Sequence, residues 1–222
     1  MHETTVPSDL IKLKDRILSA RRAKDKDRSL LVGISGIDGS GKGFITDRLR
    51  SELEHRGRRT AAISVDRWLN LPQVRFSAED RAQHFYLNAV RMDELFPQLI
   101  NPLTLTRSVD LLADTVEETA CEFRRHRYNY NAIDIILLEG IYLFKKSRQS
   151  LFDLRVWIDC TFDTALERAL ERRQEGLSRD ETVKAYAEIY FPAQELHFKI
   201  DRPRDAADLI IKNDARLSPY AH

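Results

Sequence analysis

The 222-residue sequence predicts a three-layer α/β fold: a doubly wound, mainly parallel five-stranded sheet with helices on both faces. Three observations predict it. Five short apolar runs recur along the chain, and none alternates with polar residues, which suits strands buried on both faces. Helical periodicity fills several of the intervals between them. A cluster of glycines stands where the first run meets the helix that follows it.

The elements follow in order. Residues 7–23, "PSDLIKLKDRILSARRA", predict an amphipathic helix with Leu10, Ile11, Leu13, Ile17 and Leu18 on one side. Residues 1–26 are expected to form a helical unit packed on a single domain spanning 27–222. "SLLVGIS" (29–35) is the first strand. A helix over 42–56 follows, with Phe44, Ile45, Leu49 and Leu53 at helical spacing. "TAAISVD" (60–66), "DIILLEG" (134–140), "DLRVWID" (153–159) and "DLIIKND" (208–214) supply the other four strands. Helices are expected over 92–100, 162–175 and 180–200. The last has to break or kink near Pro192, which has no N–H to donate. Residues 101–131 read as an insertion holding two or three short strands, hairpin-like.

Composition narrows the classes. Hydrophobic residues make up 42% and charged residues 32%, which fits a soluble globular chain. A formal net charge of +1 gives no support for binding along a nucleic acid. No run reaches the roughly 18 apolar residues that a bilayer crossing needs, so no membrane partner is expected. Cys121 and Cys160 form no CxxC pair and no metal-like cluster; two cysteines fit a reducing compartment. "MHETTVPSDL" lacks the apolar run of a signal peptide, so a cytoplasmic location is expected.

The glycine cluster carries the chemistry. Gly36-Ile37-Asp38-Gly39-Ser40-Gly41-Lys42 matches G-x-x-x-x-G-K, and five of the eight glycines lie between Gly33 and Gly43. A main chain that wraps phosphate with successive N–H groups needs conformations a Cβ obstructs. The following helix adds its positive N-terminal end, and Lys42 adds a cation. The residues expected to hold the phosphates are Gly36, Ile37, Asp38, Gly39, Ser40, Gly41, Lys42, Gly43 and Phe44. This refines the fold to a P-loop NTPase. Gly43 departs from the pattern: the usual Ser or Thr after the lysine ligates Mg²⁺. Phosphate binding is expected to survive, with water filling the vacant metal position.

Two carboxylates end strands. Asp66 closes "AISVD", where a carboxylate can accept the proton of an attacking hydroxyl or orient a magnesium water; the plainer alternative, a turn-capping Asp, is less favoured because "SVDRW" ends a buried strand. Glu139 closes "DIILLEG" in the form of a magnesium-side carboxylate, or of an ordinary strand-end acid. With Lys42 they make a phosphoryl-transfer set: cation, base and metal carboxylate.

At this point the chain resembles the uridine kinase family of P-loop kinases. "GISGIDGSGK", "ISVDRW", "IILLEGIYLF", "FDLRVWIDCTFDTALERAL" and "ADLIIKND" carry the resemblance in family order over about 30–214. The resemblance implies ATP-dependent phosphorylation of a small-molecule hydroxyl, in the type case on a nucleoside. It implies Asp66 as base and Glu139 on the metal side. It also implies an arginine-bearing helix and lid, about 162–200, that matches Arg168, Arg172 and Arg179. Arg168 and Arg172 stand four apart on one helix face, where they either meet the phosphates or pair with Glu167, Glu171 and Glu175. "HFYLNAVRMDELFPQLINPL" is similar to the family's substrate-side segment, which makes Asp93 an acceptor-binding candidate. Trp68 either stacks on an acceptor ring or covers the sheet end. "EFRRHRYNYN" (122–131) either helps bind substrate or faces solvent as a hairpin.

The expected ligands are ATP, Mg²⁺ and a small-molecule acceptor, and a homo-oligomer is left open. The rival readings are a kinase of another acceptor, such as a sugar phosphate or vitamin precursor, a nucleotide-binding regulator without turnover, and a scaffold without a nucleotide site. His84, His126 and His197 lack metal-like spacing, and Tyr186 and Tyr190, four apart, are expected to pack.

Overall fold

The structure is a computed structural model that describes residues 8–173 and 176–217. Residues 1–7, within the expected N-terminal unit, and 174–175, within the expected lid, lie outside the described residues, as does Glu175 as a pairing partner. Among the described residues the strands are β1 (Leu30–Gly36), β2 (Thr60–Ser64), β3 (Val109–Thr115), β4 (Arg124–Tyr130), β5 (Ile135–Gly140), β6 (Leu154–Asp159) and β7 (Leu209–Lys212). Five of them form one sheet in the order β2-β5-β1-β6-β7, every neighbouring pair parallel.

The unalternated apolar runs have a direct cause: both faces are buried. Leu30, Val32 and Ile34 of β1 face the same core as Ile135 and Leu137 of β5 and Val156 and Ile158 of β6. Leu31, Ile136, Leu138 and Trp157 point the other way into a second core. Two helices cover the first face: α1 (Ser8–Ala23), through Leu10, Leu13 and Ile17, and α2 (Lys42–His55), through Ile45, Leu49 and Leu53. Their apolar stripes are narrower than the sequence suggests, because Ile11 and Phe44 are exposed. Each lies just outside the arc that touches the sheet.

The short helices α3 (Pro72–Arg75), α4 (Arg81–Asn88) and α5 (Met92–Leu95) follow β2. The helix expected to stop at residue 100 runs on, through a wide turn (Phe96–Ile100), into α6 (Asn101–Thr106). The expected insertion therefore opens as helix, and its strands are the antiparallel hairpin β3–β4. Beyond β6 come α7 (Phe162–Arg172), α8 (Arg179–Ala185), a second wide turn (Tyr186–Tyr190) and α9 (Phe191–Asp201).

The break or kink expected near Pro192 takes the form of a widened turn directly before it, and the helix does not stop there. Phe191 N–H bonds back five residues to the Tyr186 carbonyl, and Asn101 N–H does the same to Phe96 ahead of Pro102. A proline ring collides with the carbonyl four residues earlier in a regular α-helix; one widened turn relieves that collision without ending the helix. The same device serves both prolines.

The strand ends set the site. The first loop, the turn after β2 and the end of β5 all emerge at the carboxyl edge of the sheet, where open α/β folds bind ligands. Parallel register pairs Glu139 with Ile34 on one side and with Ser64 on the other.

Candidate active site

Residues 36–42 form a tight loop between β1 and α2. Gly39 (φ 72°) and Gly41 (φ 89°) are left-handed, a conformation costly to residues bearing a Cβ. A Cβ at Gly39 would sit 2.5 Å from the Ala165 carbonyl of α7, and one at Gly41 would run into the Asn213 side chain. The loop is thus wedged between α7 and the residue that follows β7. Asn213 Nδ2 donates to the Ser40 carbonyl at 2.7 Å, and Asn213 N–H donates to the Asp159 carbonyl at 2.9 Å.

Lys42 is buried, and its ammonium donates to the Ile37 carbonyl across the loop at 2.9 Å. Arg168 donates from Nη1 to the Gly39 carbonyl (3.2 Å) and from Nη2 to the Asn213 carbonyl (2.8 Å). Arg172, one turn on, donates to the Asp38 carboxylate at 2.8 Å, and the Tyr186 hydroxyl donates to the same oxygen. Both arginines therefore reach the loop. Glu167, offered by the sequence as a partner for them, is held instead by Arg216. Burial alone would raise the Asp38 carboxyl; Arg172, Lys42 and the Tyr186 hydroxyl outweigh it and hold the group below the ordinary aspartate value.

β2 ends at Ser64, two residues earlier than expected. Asp66 sits in a 3₁₀ turn (Val65–Trp68) whose start is capped by the Ser64 hydroxyl, which accepts from Asp66 N–H. The Asp66 carboxyl stays open to water at the floor of the cleft. The protein crowded around it, together with Asp38, raises its carboxyl against the pull of Lys42. Glu139 is buried beside it. Burial, then repulsion from Asp66, pushes its carboxyl up to about 7, with Lys42 opposing. Lys42, Asp66 and Glu139 thus feel one another at one sheet edge, as the sequence predicts.

Asp38, Lys42, Asp66 and Arg172 line one side of a cleft at this edge. Facing them is an aromatic wall. Phe76 and Phe85 stack at 5.6 Å between centroids, and Tyr190 meets the Phe85 ring edge-on at 5.0 Å. Arg75, Glu118 and Gln194 complete the lining with Leu69 and Ile141. Glu118 arrives from the turn between β3 and β4.

Other candidates lie elsewhere. Trp68 is fully buried and donates from Nε1 to the Tyr128 hydroxyl at 3.1 Å, so it covers the sheet end. Asp93 is almost fully exposed and pairs with Arg148 at 2.5 Å. Arg179 opens α8 and is exposed, beside a separate surface hollow lined by Leu170 and Arg173. The basic segment 122–131 is largely β4: Arg125 and Arg127 pair with Asp114 and Asp110 in solvent, while Tyr128 packs on Trp68. His197 is buried against Asp201 at 2.7 Å, His84 bonds the Val74 carbonyl, and His126 packs edge-on against Tyr128.

Sequence reasoning missed Arg75, Gln194, Tyr186 as a polar group, and Asn213. Tyr186 is fully buried as packing requires, but its hydroxyl carries a second role that the four-residue spacing does not reveal.

Gly43 leaves room. Nothing lies within 4 Å of a Cβ built there, so a hydroxyl side chain would fit. Ser40 Oγ and Thr46 Oγ1 are buried beside the loop without partners. No cluster of three or more metal-ligating side chains occurs among the described residues, and no helix of these residues is long and apolar enough to cross a membrane. Two carboxylates with phosphate oxygens and water fit the habits of Mg²⁺, which rarely takes an all-protein cage.

The strand order, the glycine loop and the acids at its edge define a P-loop kinase acting on small molecules. Residues 31–216 match the phosphoribulokinase / uridine kinase family, and the chain belongs to that family. Uridine kinase of Staphylococcus haemolyticus is 26% identical over 191 residues, covering 82% of this chain and 86% of its own. That of Staphylococcus carnosus is 27% identical with the same coverage. Among solved structures, one titled "a Possible Uridine Kinase from Bacillus stearothermophilus" superposes with a TM-score of 0.66 at 19% identity, covering 90% of this chain and 99% of that one. D-glycerate 3-kinase of Cryptococcus neoformans superposes with a TM-score of 0.59 at 14% identity, covering 93% and 96%. These two likenesses bear on the fold.

Proposed function

We propose that the chain transfers the γ-phosphoryl group of ATP to a hydroxyl of a small molecule in the cytoplasm. The observation that carries this reading is the meeting of Lys42, Asp66 and Glu139 at one sheet edge, under a loop whose left-handed glycines leave space for phosphate. Main-chain N–H groups of residues 36–44 bind the phosphates, and the Lys42 ammonium exchanges the Ile37 carbonyl for a phosphate oxygen. Asp66, its carboxyl raised toward a useful basicity, takes the proton of the attacking hydroxyl. Arg172 turns from Asp38 to the charge that develops on the transferring group, with Arg179 brought in as the lid closes. Arg168 holds the loop in shape through the Gly39 carbonyl. Glu139 and Asp66 are the residues that would hold Mg²⁺, through water, and the ion would supply positive charge to the phosphates.

The uridine kinase relatives support a nucleoside as the acceptor, while the lining of the cleft, argued below, favours a charged one. The test is ADP release with a panel of nucleosides and small alcohols, with Lys42→Ala and Asp66→Ala as controls. Acceptor-dependent release that both variants abolish supports the reading. If ATP binds but no acceptor raises release above hydrolysis, a nucleotide-binding regulator is the better description. If Lys42→Ala leaves ATP binding untouched, the loop is not a phosphate site.

A further inference from the structure

Arg75 lines the cleft beside the aromatic wall. It is 5% exposed and closes the four-residue helix α3. Among the described residues its hydrogen bond runs from Nη2 to the Glu118 main-chain carbonyl, and its Nε has no partner. The guanidinium lies over the Phe76 ring at 5.2 Å, which fixes its plane against the aromatic wall. Burial lowers its basicity, with Tyr190 and the Glu118 and Asp66 carboxylates of the same cleft opposing, and a guanidinium keeps its charge at any ordinary pH. A buried cation without a close counter-ion is costly, and the cost is relieved by an anion that arrives with a ligand.

A second, independent group lines the same cleft. Gln194, on α9, is 2% exposed, and its Oε1 has no hydrogen-bond partner. An amide oxygen accepts only, so it asks for an O–H or N–H on the ligand. Neither group is needed for the phosphates, which the loop, Lys42 and Arg172 serve.

Resting on the kinase reading above, we infer that the acceptor is an anionic polyol-type molecule: a carboxylate or phosphate ester gripped by Arg75, with a hydroxyl or N–H donating to Gln194. The planar fork of Arg75 takes two oxygens of such an anion side by side, and the anion restores the charge balance that burial upsets. The reacting hydroxyl lies at the other end of the molecule, toward Asp66. The aromatic wall excludes water along one side and grips an apolar or flat face. A neutral nucleoside would leave Arg75 unanswered, so it is the poorer acceptor.

The test compares ribose, ribonate and ribose 5-phosphate as acceptors, and inorganic phosphate and acetate as binding probes without ATP. The wild-type enzyme should prefer at least one charged acceptor over ribose and over uridine by about 100-fold in kcat/KM, mostly through KM. Arg75→Gln should erase that preference, with the loss falling on the KM of the charged acceptors. Arg75→Lys, which keeps the charge but loses the fork, should retain part of it. Gln194→Leu should raise KM without touching the anion preference. The ribonate and ribose 5-phosphate arms distinguish a carboxylate from a phosphate. Uridine turnover equal to that of the anions, or a preference unchanged in Arg75→Gln, overturns the inference and leaves the kinase reading standing. If no acceptor turns over, calorimetry decides: phosphate or acetate binding lost in Arg75→Gln upholds the anion site, and no Arg75-dependent binding overturns it. The kinase reading itself is tested apart from this, by ATP binding in Lys42→Ala.

Discussion

The Arg172 guanidinium lies 2.8 Å from the Asp38 carboxylate, joining α7 to the glycine loop. On the proposed reading, the contact would hold the arginine within reach of the reacting phosphates before they arrive. Tyr186 donates to the same carboxylate, so the second wide turn shares in the arrangement.

Replacing Arg172 with Ala should therefore act on chemistry more than on capture of ATP. The expected outcome is a fall of about 100-fold in kcat with the KM for ATP changed only a few-fold. Steady-state kinetics at saturating acceptor checks it. Equal losses in ATP affinity and kcat would show that Arg172 grips the ground state.

Gly43→Ser should tighten the apparent Mg²⁺ affinity, because a Cβ at this position meets open space and its hydroxyl can enter the metal's shell. The same change should stabilise the first turn of α2 by up to about 1 kcal/mol. Magnesium titration of ADP release and thermal melts of the free protein read the two effects separately. Unchanged magnesium dependence would show that water already does all the hydroxyl would do.

Glu139 predicts two pH dependences of opposite sense. Its carboxyl is raised in the folded chain to about 7, by burial and by Asp66, while the unfolded chain has the ordinary glutamate value. The folded state thus binds more protons between those two values. This group's contribution to stability is complete at acid pH and declines as pH rises toward about 7. On the proposed reading, activity runs the other way, since an ionised Glu139 is the form that would hold magnesium; it should climb through the same range. Glu139→Gln should flatten the fall in melting temperature between pH 5 and 8, and should remove the rise in magnesium-dependent rate. A wild-type stability profile flat over that range would contradict the assignment.

Trp68→Phe should lower stability by roughly 1–3 kcal/mol, because it leaves the buried Tyr128 hydroxyl without its donor. The KM for acceptor should stay within about twofold. Denaturant unfolding and acceptor kinetics on the same preparation check both. A large KM effect with unchanged stability would restore Trp68 to the acceptor site.

The glycine loop was legible because its chemistry is main-chain chemistry and needs glycines in consecutive positions. The sheet was legible because burial on both faces removes polar residues from a strand, as in "IILL" before Glu139. Arg168 and Arg172 were legible through their four-residue spacing and their match to a known family. Arg75 and Gln194 were not. Each owes its interest to what surrounds it: α3 folds Arg75 against Phe76, and α9 carries Gln194 to the same cleft from more than a hundred residues away. Asn213 is similar, since nothing in "IIKND" announces a bond to the Ser40 carbonyl. Trp68 was ambiguous because the turn after β2 directs Asp66 and Trp68 to opposite sides, and that geometry is set by the 3₁₀ turn.

The bond from Asn213 to Ser40 spans 173 positions of the chain. The brace on the loop is therefore supplied by a distant part of the chain, which reaches it only when the far edge of the sheet is in place. A chain that has formed β1 and α2 but has not docked β7 beside β6 holds a loop of the same sequence without this bond. On the reading proposed above, the grip on a triphosphate tail would then depend on closure of the sheet edge as well as on the loop's own residues.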